Sequence, residues 1–514
     1  MDDWPIIAEN PHLTGTHNIA PFFTNGVWNN SGIPGDQDDF LYRTVFLLTL
    51  YLGHQLFDGA PVAYHALNLA LHTLNAIMVF FLVLRLNGSD RRWPALFAAL
   101  VFAIHPVHAE SVSWIAGITD PLVTLFLLGS FLVYLDHESK PHPARLAVSL
   151  LLFVLALLSK ETAVMLPFIL IAYALAYGKS FREARWLGNS AAFIAVLIIY
   201  FVARKLALGT TIALSEFTLP GFFHLFEFTA EYFKLLIVPW PINYYYAVPA
   251  NGLLQTWGGI VVLGLASGLS VLLFKGKLDN KVILFSMAWI ILTLLPSLSL
   301  SFHKESNFSI RFLYLPSIGL ALLLPTLIQP LFARYKIVAV ITGAALLLIF
   351  SSITMMANLN WQNEETFYTH AKAVTPMHAG PVSGLAKYYQ RNKQDQKAIQ
   401  YYLRTIELGD TATKVAAYEN IGLIYGMQGN VAQSTAYYTN AYELAPGRST
   451  VLVGLGNNAW SRKDFQAARS YYEKAFSADR NNYQAAYNLS LLYKMLGDLN
   501  KAAYYQQQAM KIDR

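Results

Sequence analysis

The chain has 514 residues, of which 55% are hydrophobic and only 13% are charged, and its mean hydropathy is +0.38. Soluble domains carry about 25% charged residues, so this composition excludes an ordinary soluble protein and indicates a polytopic membrane protein. The absence of cysteine excludes disulfides and thiolate metal sites. The net charge of +6 is modest, and no basic tract with interleaved aromatic residues predicts a nucleic-acid partner.

The N-terminal part, residues 1–61, is predicted to be an extracytoplasmic loop that includes an interfacial helix. Its first residues lack the basic and apolar regions of a signal peptide, and residues 1–42 are polar and rich in turn residues. Residues 43–57 are apolar but shorter than the roughly 20 residues that a membrane span needs. We therefore expect them to lie along the membrane surface.

Residues 62–356 are predicted to form a transmembrane domain of about ten spans. Basic residues cluster at alternate connections between the spans, which the positive-inside rule assigns to the cytoplasm. The other connections, and everything after Met356, are then extracytoplasmic, including a 206–252 loop with a second interfacial helix. The predicted spans are 62–84, 94–105, 121–136, 145–158, 163–177, 187–205, 253–274, 282–299, 312–330 and 337–356.

The polar stretch 105–120, between two apolar runs, is a candidate site on this extracytoplasmic face. It contains His105, His108, Glu110 and Asp120. One interpretation is an interfacial cap with satisfied polar side chains. Another is a zinc or manganese site of both histidines and the glutamate, because imidazole and carboxylate suit these metals, although a proline after His105 disturbs helical spacing.

Three further groups of polar residues interrupt apolar segments. Lys160 and Glu161 mark either a functional site at membrane depth or a hairpin in which the two charges neutralise each other. Arg311 begins a predicted span and is suited either to snorkel to the headgroups or to form a fork onto a phosphate. A helical spacing predicts one polar stripe, used for packing or for a ligand, from His65, Asn68, His72 and Asn75.

From residue 379 the chain repeats with a period near 34, the length of a tetratricopeptide helix-turn-helix unit. Four units are predicted in 379–514, starting near 379, 415, 449 and 483, after a linker half-repeat at 357–378. Such solenoids bind an extended peptide or another protein in a concave groove, although the fold alone implies no chemistry. The groove residues we predict are Tyr389, Tyr425, Tyr493, Asn420, Asn457 and Asn488.

Together these motifs resemble the TMTC-like membrane O-mannosyltransferases with tetratricopeptide repeats, particularly the bacterial members of this branch of the GT-C fold. The resemblance spans essentially the whole chain. It implies an all-α architecture, in which a polytopic GT-C-type transmembrane domain is followed by a repeat solenoid, and an inner-membrane location. The motifs that carry it are Asp2-Asp3 with Glu9-Asn10-Pro11, Tyr42-Arg43, Tyr64-His65 to His72, His105-Pro106-Val107-His108-Ala109-Glu110 with Trp114 and Asp120, Ser159-Lys160-Glu161-Thr162, Arg311-Phe312-Leu313-Tyr314-Leu315-Pro316 and the repeats.

The resemblance also implies a reaction. A polyprenyl-phosphate-linked sugar would be the donor, a protein hydroxyl the acceptor, and the sugar carbon would be inverted. An aspartate of the first loop, Asp3 or Asp2, would be the catalytic base, since a hydroxyl needs a carboxylate to take its proton. We expect the remaining roles to be phosphate binding, by Arg311, Lys160, His65 and His105, and orientation of the acceptor or of a divalent ion, by Glu110 and Asp120. The identity of such an ion is not assigned from the sequence.

The chain departs from the resembled family at two points. The transmembrane helix that precedes the Asp-Asp loop in relatives is missing here, which suggests a truncated start. Ile118 stands where relatives usually have arginine, which weakens phosphate binding by this loop. The competing hypothesis is a non-catalytic membrane scaffold whose repeats recruit partner proteins. A transporter is less favoured, because the charges gather at one face rather than at the midplane.

Overall fold

The computed structural model is helical and describes residues 6–7, 10, 13, 19–28, 41–88, 90–179, 184–209, 219–242, 281–298 and 308–512. These residues contain helices and connecting turns and no strand. The chain divides into two compact units, Met1–Trp361 and Gln362–Arg514. The predicted all-α fold is thereby confirmed.

The first unit, called the membrane unit here, holds the apolar helices. A single helical turn, Pro21–Thr24, precedes them, and 3₁₀ turns occur at Pro106–His108, Ile115–Ile118, Glu161–Met165 and Ile310–Leu313. The α-helices are α1 Thr44–Phe57, α2 Pro61–Asn87, α3 Arg92–Ile104, α4 Ala109–Ser113, α5 Thr119–Ser139, α6 Pro143–Leu157, α7 Leu166–Ala176, α8 Ala184–Leu208, α9 Leu219–Ile237, α10 Lys281–Leu298, α11 Pro316–Arg334 and α12 Lys336–Leu359.

Five helical segments of the described residues are long and apolar enough to cross a membrane, and a sixth forms if two bent helices count as one span. The chain is therefore an integral membrane protein. The bent pair is Arg92–Ile104 with Pro106–Ser113, which meet at 46°. The five are Pro61–Asn87, Ile115–Ser139, Trp186–Leu208, Lys281–Leu298 and Lys336–Leu359.

Two predicted spans are short helices in the structure. The predictions at 145–158 and 163–177 correspond to apolar helices of at most 17 residues, Pro143–Leu157 and Glu161–Ala176, whereas the prediction at 312–330 corresponds to α11, Pro316–Arg334. The break between Pro143–Leu157 and Glu161–Ala176 falls at Ser159-Lys160, where a charged residue separates two apolar runs. The predicted span 253–274 lies outside the described residues.

The two predicted interfacial segments are helical. In α1 the side chains of Phe46, Leu47 and Leu50 are buried, whereas Leu56 and Phe57 are exposed. The helix α9 forms within the predicted 206–252 loop. The position of these two helices at the membrane surface stays a prediction.

The core of the membrane unit depends on close helix packing and on a buried aromatic cluster. Gly319 of α11 faces α10 so closely that a Cβ atom there would lie 2.5 Å from the side chain of Ile290. Small residues let membrane helices approach in this way. The indole of Trp289, fully buried, donates a 2.9 Å hydrogen bond to the carbonyl of Leu315. This contact joins α10 to the segment that carries Arg311.

The second unit, called the repeat unit here, is a series of helical hairpins. A first helix matches the predicted half-repeat, and its Tyr368 and Ala371 are buried as predicted. Four helical pairs follow, with first helices that begin near the predicted starts. The helices are α13 Glu364–Val374, α14 Ala379–Arg391, α15 Asp395–Leu408, α16 Thr411–Met427, α17 Val431–Leu444, α18 Ser449–Ser461, α19 Phe465–Ala478, α20 Tyr483–Met495 and α21 Leu499–Ile512.

Glycines on the first helix of a pair give space to tyrosines on the second helix of the same pair or of the preceding pair. A Cβ atom on Gly456 would lie 2.4 Å from the ring of Tyr472 in its own pair, and one on Gly454 would lie 2.4 Å from the ring of Tyr438 in the preceding pair. This interlocking of glycine and tyrosine is the packing that the 34-residue period predicts. The predicted tetratricopeptide-type solenoid is confirmed.

We expect Gly454→Ala to lower the stability of the repeat unit. Alanine gains about 1 kcal/mol of helix propensity, but the new methyl group overlaps a buried tyrosine ring, and overpacking costs about 1–3 kcal/mol. The net effect should be a lower melting temperature of the purified protein in detergent. Gly447→Ala is the control, because nothing lies within 4 Å of its added Cβ. Equal melting temperatures for the two variants would contradict the packing described.

Candidate functional site

The stretch 105–120 folds as a series of short turns rather than as one helix. Pro106 has no N–H to continue the ladder of α3, so that helix stops before it, and His105 takes an extended backbone with φ −66° and ψ 127°. The stretch then reverses through short elements before α5 begins. These elements are Pro106–His108, Ala109–Ser113 and Ile115–Ile118.

Two contacts hold these turns together. The amide of Asn68, on α2, donates hydrogen bonds to the carbonyls of Val112 at 3.3 Å and Trp114 at 3.0 Å. Gly117 lies so close to the preceding turn that an added Cβ would be 3.0 Å from the carbonyl oxygen of Ser111. The stretch is therefore a compact polar wall fixed to a neighbouring span.

Glu110 fixes the position of Arg311. Its buried carboxylate accepts hydrogen bonds from the Ser309 hydroxyl at 2.8 and 2.9 Å, from the Arg311 backbone N–H at 3.0 Å and from Arg311 Nη1 at 3.3 Å. The Arg311 guanidinium lies 4.8 Å from the ring of Trp114, a cation–π distance. The arginine side chain is still 29% exposed. Its orientation is therefore set while part of its guanidinium stays accessible.

Lys160 and Asp120 form a second ion pair. Lys160 Nζ lies 2.5 Å from Asp120 Oδ1, and the two side chains are 4% and 7% exposed. The other carboxylate oxygen, Oδ2, is buried and has no hydrogen-bond partner among the described residues. A buried polar atom without a partner is costly, so this oxygen marks a place where a ligand or water would be stabilised.

Phe312 connects the two ion pairs. Lys160 Nζ lies 5.3 Å from the centroid of its ring, and the Arg311 guanidinium lies 5.4 Å from the same centroid. The two cations thus flank one aromatic side chain. We call Glu110, Asp120, Lys160 and Arg311, with Phe312 between them, the charged wall.

The predicted hairpin in which Lys160 and Glu161 neutralise each other is wrong. Lys160 pairs with Asp120, and Glu161 turns to Arg43, whose Nε and Nη2 lie 3.0 and 2.7 Å from its Oε2. Arg43 precedes α1 and was not among the predicted site residues. Its place at the start of an apolar segment was the signal, but its partner lies 118 residues later.

His105 serves the fold rather than the candidate site. Its Nε2 donates to the carbonyl of Leu236 at 3.0 Å, and its Nδ1 accepts from the Val107 N–H at 3.4 Å. Both ring nitrogens are engaged, so neither is free for a phosphate. Among the described residues, no group of three or more His, Asp or Glu side chains is placed to hold a metal ion. The interpretation of His105, His108 and Glu110 as a metal site is wrong.

The predicted polar stripe on α2 is correct for three of its four members. Asn68, His72 and Asn75 are buried, but His65 is exposed. Tyr64 occupies the buried position instead, and its hydroxyl donates to the carbonyl of Leu50 at 2.8 Å. His65 has no described polar contact, and the structure does not bring it to the charged wall.

Tyr314 links this stripe to the segment of Arg311. Its hydroxyl lies 2.7 Å from His72 Nδ1 and 3.2 Å from Asn75 Nδ2, and the ring is fully buried. The stripe therefore serves packing, and it holds the charged wall from the side of α2.

Asp2 and Asp3, the predicted catalytic residues, lie outside the described residues, but apolar side chains just after them are described. These side chains pack in one cluster with Ile118, which is fully buried, so this position is part of the apolar support beneath the N-terminal segment. The members from the first loop are Ile6, Ile7 and Leu13, and those from residues 116–122 are Ala116, Ile118 and Leu122.

The predicted groove tyrosines pack the repeats. Tyr389 and Tyr493 are 7% and 4% exposed, and Tyr389 donates a 2.6 Å hydrogen bond to Glu365, which raises the pKa of its phenol. Tyr389, Tyr425 and Tyr493 each stack against a tyrosine of the next helix, so their rings pack within the helical hairpins. The stacked pairs are Tyr389–Tyr401, Tyr425–Tyr437 and Tyr493–Tyr505.

The predicted asparagines behave differently. Asn457 is exposed, and its Oδ1 accepts from the Tyr472 hydroxyl at 2.7 Å and from Asn488 Nδ2 at 3.0 Å. Asn457 and Asn488 thus connect neighbouring repeats, and the amide group of Asn457 is left to donate to a ligand. Asn420 instead donates back to the carbonyl of Ala416 within its own helix at 2.7 Å.

The ion pair of the charged wall should behave as a coupled unit. We expect Asp120→Asn to destabilise the protein by about 3–5 kcal/mol, because it leaves the buried charge of Lys160 uncompensated. The double variant Asp120→Asn/Lys160→Met should recover most of that loss. Thermal unfolding in lipid nanodiscs measures both. Lys234→Gln, which removes an exposed pair with Glu231, is the control and should cost less than about 1 kcal/mol. Additive losses in the double variant would contradict the coupling.

Comparison with known proteins gives two family matches. The model of the family described as dolichyl-phosphate-mannose-protein mannosyltransferase matches residues 44–203, which include Glu110, Asp120 and Lys160. The tetratricopeptide repeat family matches residues 413–481. A solved structure titled as a crystal structure of MamA is 22% identical, covering 28% of this chain and 84% of that chain, with a TM-score of 0.26. That score is too low for any conclusion.

Curated relatives extend over most of the chain. The protein O-mannosyl-transferase F38B6.6 of Caenorhabditis elegans is 24% identical over 79% of this chain and 59% of its own length. The protein O-mannosyl-transferase TMTC3 of Mus musculus is 22% identical over 100% of this chain and 61% of its own length. The chain thus spans about three fifths of these relatives. These matches support the resemblance drawn from the motifs: the chain is similar to the TMTC-type membrane O-mannosyl-transferases and carries tetratricopeptide repeats.

Proposed function

We propose that this protein is a membrane glycosyltransferase that transfers a mannose-like sugar from a polyprenyl-phosphate donor to a protein hydroxyl at the extracytoplasmic face. The observation that carries the proposal is the charged wall. Lys160 and Arg311 flank Phe312, and each is oriented by a buried carboxylate. The similarity to proteins named O-mannosyl-transferases supports the same reaction class.

The wall has the features of a phosphate site. The guanidinium of Arg311 contacts Glu110 through Nη1 alone, so Nε and Nη2 are left as donors among the described residues. Planar guanidinium donors match the oxygens of a phosphate, and an aromatic platform beneath them restricts their orientation. Lys160 adds a second positive charge 5.3 Å from the ring centroid of Phe312. A scaffold has no need of an accessible arginine held beside a second cation, whereas a transferase needs such cations to stabilise the phosphate that leaves.

Apolar residues of the first loop pack beside the stretch that carries Glu110 and Asp120. Ile6 and Ile7 belong to the cluster that includes Ala116 and Ile118. Asp3 precedes Ile6 by three positions in the sequence, and this nearness in sequence supports its proposed assignment to the same site.

In the proposed step, the oxygen of a serine or threonine hydroxyl attacks the sugar carbon C1. The bond between C1 and the donor phosphate oxygen breaks, and its electron pair leaves with the polyprenyl phosphate. Asp3 or Asp2 takes the hydroxyl proton as the new glycosidic bond forms. Attack opposite to the leaving phosphate inverts C1. Arg311 and Lys160 stabilise the negative charge that develops on the phosphate.

The repeat unit has a separate role in this proposal, as the part that binds the acceptor. Asn457 and Asn488 form a continuous polar edge across two repeats. Side-chain amides of this kind hydrogen-bond the backbone of an extended peptide without regard to its side chains. Such binding would bring many different acceptor sequences to one membrane face.

We expect the double variant Asp2→Asn/Asp3→Asn to lose at least about a hundredfold in turnover, because general-base catalysis contributes about 10²–10⁴. The assay follows transfer from a synthetic polyprenyl-phosphate mannose to a serine- and threonine-rich peptide by the purified protein in lipid. Asp58→Asn is a matched control, since Asp58 is an exposed aspartate near the same end of the chain. Wild-type turnover in the double variant would overturn the assignment of the base. Absence of transfer by the wild-type protein would favour the scaffold.

The proposed acceptor groove predicts a change in KM. Asn457→Ala/Asn488→Ala should raise the KM for a long acceptor peptide about tenfold, the loss of one or two hydrogen bonds, with unchanged kcat. A short peptide that reaches only the membrane site should be unaffected. Asn420→Ala is the control, because its amide is already bonded within its helix. If KM for the long peptide stays unchanged in the double variant, this groove does not bind the acceptor.

A further inference from the structure

The membrane unit contains a polar cavity that is separate from the charged wall. Its volume is about 190 Å³, the scale of a lipid headgroup rather than of a whole lipid. The residues that line it include Asn87, Arg91, Pro94, Tyr177, Lys281 and Thr326.

The cavity lies at the opposite ends of helices that start at the charged wall. Lys160 directly precedes the helical segment Glu161–Ala176, and Tyr177 directly follows it. This segment of sixteen residues spans about 24 Å. Similarly, Arg91 caps the start of α3, and His105 caps its end. The cavity and the wall therefore occupy the two ends of the membrane-spanning bundle.

Among the residues that the structure describes, the charge of the cavity is uncompensated. Arg91 and Lys281 line the cavity, no carboxylate is among its described lining residues, and neither cation makes an ion pair with a described residue. Two other cations at nearby helix ends are neutralised, since Arg85 pairs with Asp136 and Lys179 pairs with Glu138. Free positive charge is thus concentrated at the cavity.

The other lining groups suit a phosphate ester. Asn87 offers a neutral hydrogen-bond donor beside the two cations, Thr326 adds a hydroxyl that donates to the carbonyl of Leu322 at 3.3 Å, and Leu86, Pro94 and Pro325 supply an apolar side. The oxygens of one phosphate can together accept from the amide and from both cations. The apolar side fits the glycerol carbons that link a headgroup to its acyl chains.

We propose that this cavity binds the phosphate-bearing headgroup of an anionic phospholipid. Its position at the ends of spans puts it at headgroup depth, and basic pockets between transmembrane helices recognise anionic headgroups. The bound lipid ties together α2, α3, α10 and α11, which all contribute lining residues. The proposal is independent of the transferase reaction and of the repeat unit.

Native mass spectrometry of the purified full chain tests the proposal, with phosphatidylglycerol titrated against phosphatidylcholine. We expect one phosphatidylglycerol to bind in preference to phosphatidylcholine. Arg91→Gln and Lys281→Gln should each weaken it about fivefold, and the double variant about 25-fold, since each basic residue near an anionic surface contributes about 1 kcal/mol. Arg92→Gln is the matched control, because the neighbouring Arg92 does not line the cavity. Wild-type binding by the double variant, or equal weakening by Arg92→Gln, would overturn the proposal.

A second arm distinguishes the lipid from a free anion. Inorganic phosphate at millimolar concentration should leave phosphatidylglycerol bound, and phosphatidylglycerol should raise the melting temperature of the wild type but not of the double variant. The double variant should melt like the wild type in phosphatidylcholine alone, which shows that it is folded. Displacement of the lipid by inorganic phosphate would instead assign the cavity to a soluble phosphate and overturn the lipid assignment.

Discussion

The buried ion pair between Lys160 and Asp120 is the contact on which the arrangement of the membrane unit depends. It joins the break before Glu161–Ala176 to the first turn of α5, forty residues apart, at 2.5 Å. Burying either charge alone would cost several kcal/mol, so the break can lie only where Asp120 reaches it. Glu161, next in the chain, then faces Arg43, and Phe312 packs on Lys160. One pair thus sets the positions of three neighbouring segments.

The sequence identified the members of the charged wall because a charge inside an apolar run is conspicuous. It could not identify their partners. Glu110 and Arg311 are 201 residues apart, and nothing in local spacing relates them. Local reasoning could therefore offer only the neighbouring Glu161 as a partner for Lys160, as one of two alternatives, although these residues turn to different partners. The assignment of His105 to ligand binding failed for a related reason. A histidine in an apolar stretch resembles a ligand-binding residue until its backbone partners are known.

In the repeat unit local reasoning succeeded further, because each repeat contacts mainly its neighbours along the chain. The period predicted the helical pairs. The failure concerned the face on which the tyrosines lie. Tyr389 and Tyr493 recur at one register because each stacks on a tyrosine of the following helix, and a period alone does not separate such packing from a groove. The asparagines show their role only through contacts between repeats.

The pairing within the charged wall bears on how it would act on a phosphate. Lys160 with Asp120 and Arg311 with Glu110 sum to zero charge, so the wall alone attracts a donor only weakly. As the bond between sugar and phosphate breaks, negative charge grows on the phosphate oxygens, and fixed cations stabilise that charge more than they stabilise the donor. The side chain of Arg311 is 29% exposed and that of Lys160 is 4% exposed, so only the arginine is accessible to a ligand. Under the proposed function the exposed part of Arg311 contacts the phosphate, while the buried Lys160, held by Asp120, stabilises the phosphate charge from a greater distance.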